Sequence, residues 1–129
     1  MNVVREKVEL AFGKIELLDG GILTFAAFSH LETVTLQQLQ ELLDALVEIT
    51  QGNPMPFFAD NSNMKSLGLK ERKYIGDNLH LFATASAVKE NSTSIRFIGN
   101  AINHLFPPKV PMRMFKSEKE AFAWLRSLK

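Results

Sequence analysis

A short apolar run, Phe57, Phe58 and Ala59, follows Pro54 and Pro56 and stops at four polar residues, Asp60, Asn61, Ser62 and Asn63. An unbroken apolar segment of that length between turn-forming residues is the pattern of a strand buried on both faces, because alternation disappears when neither face meets water. Such a strand belongs in the interior of a sheet and needs other elements layered above and below it. In open α/β sheets the loops leaving the carboxyl ends of interior strands are where ligands and partners dock. Residues Asp60 to Leu69 are therefore the first candidate contact region.

The flanking sequence supplies those layers. From Val8 to Leu18 apolar and polar residues alternate loosely, with Gly13 at a place that suits a bulge; Asp19, Gly20 and Gly21 then form a turn, and Ile22 to Phe28 a second strand. Thr35 and Gln38 have the spacing of a capping box, and Leu36, Leu39, Leu43, Leu46 and Val47 follow on one face at helical intervals. The opposite face carries Gln37, Gln40, Glu41, Asp44 and Glu48, and Gly52, Asn53 and Pro54 end the helix. Lys70 to Leu81 reads as a second helix, with Leu67, Tyr74, Ile75 and Leu79 as its apolar contacts. Phe82 to Val88 reads as a buried strand, although its alanines also suit a helix. Ile95, Ile98, Ile102 and Leu105, at intervals of three, four and three behind the caps Asn91 to Ser94, favour a helix over a strand at Ile95 to Ile98. Val110 to Phe115 is a last strand, and Ser117 with Glu120 caps a terminal helix whose inner stripe is Ala121, Trp124, Leu125 and Leu128, with Phe122 beside it. The order ββαβαβαβα implies an α/β fold: a mainly parallel sheet of about five strands covered by about four helices.

Composition sets outer bounds. A chain of 129 residues, 46% hydrophobic and 22% charged, is long enough for one core, so residues 1–129 are expected to form a single domain. The net charge of +1, with both signs spread along the chain, lacks the concentrated Lys and Arg that nucleic acid requires. The absence of cysteine excludes disulfides, thiolate metal sites and a cysteine nucleophile. No apolar run reaches the roughly 20 residues of a transmembrane helix, and Met1 to Glu9 is charged where a signal peptide would be apolar, so a cytoplasmic protein is expected.

Asp60 at the end of the interior strand, Ala83 to Val88, Asn100, Pro108, Pro111 and the run Phe115 to Leu125, with its aromatic strand end, acidic capped turn and Ala-x-x-Trp-Leu helix, carry a likeness. In these the chain resembles STAS-like or SpoIIAA-like proteins, the anti-sigma-factor-antagonist fold, and within it a bacterial group of small STAS-like proteins of uncharacterised function. The resemblance covers nearly the whole chain and implies a SpoIIAA-like fold acting through protein association. In the sigma-factor antagonists, a serine in an Asp-Ser-Ser-Gly-Leu motif after the central strand is phosphorylated. The comparable stretch here is Lys65-Ser66-Leu67-Gly68-Leu69, which keeps Ser66 and Gly68-Leu69 while Lys65 and Leu67 replace the acid and the second serine. Ser66 is the corresponding phosphorylation candidate, and phosphate at a helix amino end beside Lys65 would change the local charge by nearly two units.

The residues themselves leave several readings open. Asp60, Asn61, Ser62 and Asn63 form either a partner or ligand loop or a turn whose short side chains cap the backbone. Asp60 has no acidic neighbour for a metal site, and His30, His80 and His104 lack metal-ligand spacing. Neither a Gly-x-Ser-x-Gly elbow nor a phosphate-cradling glycine loop is present. No catalytic residue, metal or cofactor is expected. Leu105 and Phe106, with Met112 and Met114, are either an exposed apolar patch or part of the core. The functional expectation is a non-catalytic interaction or regulatory module whose partner is another protein or itself, as a homodimer. The alternatives are a carrier of a small apolar ligand or a membrane-associated module and, third, a small enzyme with a site at Asp60 and Ser62.

Overall fold

The computed structural model describes residues 3–28, 33–60, 68–105 and 109–128. Their strands form one sheet of six in the order of the chain, β1 (Val4–Leu10), β2 (Gly13–Leu18), β3 (Ile22–Ala27), β4 (Met55–Asp60), β5 (Ala83–Lys89) and β6 (Met112–Phe115). The first three are antiparallel and the last four parallel. Between and after the parallel strands lie α1 (Leu36–Thr50), α2 (Leu69–Asn78) with a 3-10 turn at Leu79–Leu81, α3 (Thr93–Leu105) and α4 (Glu118–Ser127). The α/β reading of a mostly parallel sheet with four helices holds, with one strand more than expected.

The additional strand is β1. The alternation expected from Val8 to Leu18 is a β1–β2 hairpin turning at Ala11 and Phe12, and Gly13 is the regularly paired first residue of β2 and not a bulge. Glycine is needed there because a Cβ would lie 2.7 Å from both the Ala26 carbonyl oxygen and the Phe25 ring. The hairpin between β2 and β3 turns where expected, with Gly20 and Gly21 at φ +92° and +80°, in the region that side chains disfavour.

β4 has neighbours on both sides, and its consecutive phenylalanines serve opposite layers. Phe57 meets Phe82 edge-on at 5.1 Å, in a core that includes Ile15, Leu23, Phe25 and, from α1, Leu42, Leu46 and Ile49. Phe58 meets Phe122 at 5.0 Å, in a second core where Ala85 and Ala87 receive Ala121 and Leu125 of α4. The small residues of β5 let α4 approach closely, which explains its alanine content as strand and not helix.

Helix ends obey the sequence more closely than helix faces do. Both halves of the Thr35–Gln38 capping box form, and Ser117 Oγ accepts the Glu120 N–H. The buried side of α1 is Leu39, Leu42, Leu46 and Ile49, rotated slightly from the expected stripe and leaving Leu36 partly exposed. In α4, Phe122, expected beside the inner stripe, is buried because it stacks on Phe58, and Leu128, expected within the stripe, is about half exposed.

Candidate functional site

The strand order contains no reversal, so the carboxyl ends of β3 to β6 form a row without the crevice that a topological switch would open between them. Asp60 ends β4 half-buried, in register with Ala26 of β3 and Lys89 of β5. Parallel partners in register share a face, so opposite charges stand on neighbouring strands at that end of the sheet. Asn61, Ser62, Asn63 and Ser66, like Phe106, His30 and Leu67, lie outside the described residues. Among the described residues no group of three His, Asp or Glu is placed to hold a metal ion. Lys7, on β1 at the far edge of the sheet, has its pKa raised, first by the hydrogen bond to Glu9 and then by that carboxylate's charge.

The apolar patch divides. Met112 and Met114 are half-buried against the main core. Leu105 is 70% exposed and joins other apolar residues of its own helix: Ile95, Phe97, Ile98 and Ile102 are 45 to 76% exposed, and α3 buries none of its residues. The spacing that announces this helix therefore marks its outward side.

Its inward side is polar, and the reason is the edge of the sheet. β6 is the last strand, and Met112 and Met114 turn their outer backbone groups away from β5. Asn100 Nδ2 donates to the Met114 carbonyl at 3.1 Å while its Oδ1 accepts the Met114 N–H at 2.8 Å. One turn further, Asn103 Nδ2 donates to the Met112 carbonyl at 3.2 Å. The two amides occupy positions that a seventh strand would take, which closes an edge otherwise open to pairing. Arg96 Nη1 donates to the Glu90 carbonyl, and Ser92 Oγ caps the helix by accepting the Ile95 N–H. Gly99 backs onto Met114, where a Cβ would lie 2.8 Å from the sulfur. With Arg96, Gly99, Asn100 and Asn103 turned inward, the Ile95, Ile98, Ile102 and Leu105 row has nowhere to point but outward.

Two signals in the sequence mark this surface. The side of α3 opposite its apolar row carries one arginine and two asparagines where α1 carries three carboxylates and two glutamines, so it is poor in the charges of a solvated face. Residues 91–117 also contain no Asp or Glu.

A sequential sheet with an antiparallel start, three crossover helices and a fourth packed on the other face make an α/β protein of SpoIIAA-like fold. A solved structure of that fold, an uncharacterized protein from the DUF3478 family of Shewanella loihica PV-4, matches 97% of this chain and 95% of its own with a TM-score of 0.63 at 14% identity, a likeness of fold. Residues 15–129 match the family described as a domain of unknown function, DUF7793, and the chain belongs to that family. No curated protein matches it.

Proposed function

We propose that this chain is a non-catalytic interaction module of SpoIIAA-like fold, and that the surface it offers to another protein, or to itself, is the outward side of α3. A cytoplasmic setting belongs to the same reading. One observation carries it: a helix held by polar bonds to its own sheet edge exposes five large apolar side chains. Water disfavours a contiguous apolar patch, and on a folded monomer such patches mark contact sites. A photo-crosslinking residue at Leu105 or Phe97, activated in the native host, should give discrete protein adducts, lost when Ile98→Glu is added. The reading fails if neither position yields an adduct to protein.

A second reading, a carrier for a small apolar ligand, is supported by a separate feature. Pro56, Thr84, Ala85, Pro111, Leu125 and Leu128 line an open, mostly apolar groove of about 430 Å³ at the amino ends of the parallel strands. That volume lies within the range of small-molecule sites. Native mass spectrometry of the purified protein should then show a bound lipid-sized mass in stoichiometric amount, and its absence removes the carrier.

A further inference from the structure

We infer that the occupant of the α3 surface is a second copy of this chain, joined through an antiparallel pairing of the two α3 helices. The inference rests on the interaction reading above and names its partner. Ile95, Ile98, Ile102 and Leu105 are separated by three, four and three residues, the a-d-a-d rhythm of a coiled-coil seam, and all four are exposed. Such a seam is shaped to receive knobs from another helix, with each large side chain entering a gap between four residues opposite.

The flanks of the seam favour a helix of the same kind. In heptad terms Ser94 and Ala101 flank the seam on one side, both small, uncharged and exposed, while Gly99 on the other side packs against Met114. Small flanking residues let two backbones approach, and the lack of charge means that a two-fold axis brings no like charges together. Arg96 lies on the inward side with its guanidinium on the Glu90 carbonyl, away from the pairing face. Antiparallel pairing about a point between Ile98 and Ile102 sets Ile98 of each copy against Ile102 of the other. A lipid surface calls for Lys and Arg on the shoulders of its apolar face; here Ser94 and Ala101 stand beside the seam and Arg96 is held on the Glu90 carbonyl, which favours another helix.

The area is consistent with a reversible dimer. The four seam residues expose on the order of 400 Å² against about 800 Å² per partner in a standard interface, so the seam supplies about half of one. The two helices need no nucleation on meeting, since each is already fixed to its own sheet edge.

Sedimentation equilibrium on the purified full chain, from about 1 to 500 μM, spans the affinities expected of such an interface. The wild type should show a monomer–dimer equilibrium. Ile98→Glu and Ile102→Glu should each weaken it at least tenfold with circular dichroism unchanged, and Ile98→Ala should weaken it less. Leu69→Glu, at an 84% exposed apolar residue on α2, should leave it within about threefold. A wild type that stays monomeric throughout overturns the inference, as does a dimer sensitive to Leu69→Glu and indifferent to Ile98→Glu. Monomeric protein that co-sediments with phosphatidylglycerol-containing vesicles overturns it in favour of a lipid surface. Each of these leaves the broader reading to be judged by the crosslinks at Leu105 and Phe97, which would then join this chain to a different protein or to none.

Discussion

Helices α1 and α3 are both amphipathic, both capped at the amino end by a hydroxyl side chain, and both lead from one parallel strand to the next. The first lays its apolar side on the sheet, where Leu46 is 1% exposed; the second turns its apolar side away and fastens itself with amides. The difference lies in what each helix meets. Over the middle of a sheet the backbone is fully paired and offers only side chains, so burial of leucines wins. At the edge the strand presents bare N–H and C=O groups, and an asparagine that satisfies both competes with an isoleucine that satisfies neither. Apolar spacing fixes which residues of a helix share a side, and the neighbouring backbone decides which side faces in.

The contrast breaks most visibly at Leu46. Leu46→Ala removes a fully enclosed side chain from the larger core and should cost about 2–5 kcal/mol in urea unfolding; a loss under 1 kcal/mol would mean that α1 does not organise that core. At Asn100 the effect should be smaller and, by hydropathy alone, of unexpected sign. Asn100→Leu makes the inward side of α3 more apolar and yet should destabilise by roughly 1–3 kcal/mol, because it strips partners from the Met114 N–H and carbonyl. Hydrogen exchange at the Met114 amide should quicken at the same time. A stabilised Asn100→Leu protein would show that the edge is held by packing instead.

Capping gives a third, lesser comparison. Thr35→Ala deletes half of the α1 capping box and should cost about 1 kcal/mol. Ser92→Ala at the start of α3 should cost less in global unfolding, since α3 buries none of its residues and can fray without opening either core. Equal losses at the two caps would show that α3 unfolds only with the whole chain.

The same division explains what could be read in advance. Phe57, Phe58 and Ala59 are legible as an interior strand because burial on both faces removes all polar residues from the run. Thr35 and Ser117 are legible because caps are local, made by residues three apart. β1 is legible only in part: Val8 and Leu10 belong to the alternation read from the sequence, whereas Val4 to Lys7 lies at the outer edge with its side chains in water and carries no signal of a core. The choice of Phe122 over Leu128 as the buried residue of α4 depends on the position of Phe58, more than sixty residues away. For the candidate site, Asp60 is found at the end of its strand as expected, whereas the outward side of α3 depends on Asn100 reaching Met114 and cannot be read from spacing within the helix.

The smallest effect is the one that separates the two helices most cleanly. Ile98→Ser removes as much apolar surface chemistry as a core truncation, but from a side chain already 56% exposed in the monomer. Measured at concentrations below dimer dissociation, it should change stability by no more than about 0.5 kcal/mol, as at surface positions generally. Raising the protein concentration should then make the two proteins diverge: association stabilises only the folded form, so the wild-type midpoint climbs with concentration while that of Ile98→Ser stays level. A large loss at the lowest concentration would mean that Ile98 is enclosed within its own chain, and that α3 turns inward as α1 does. Parallel behaviour at every concentration would mean that its outward side meets nothing of its own kind.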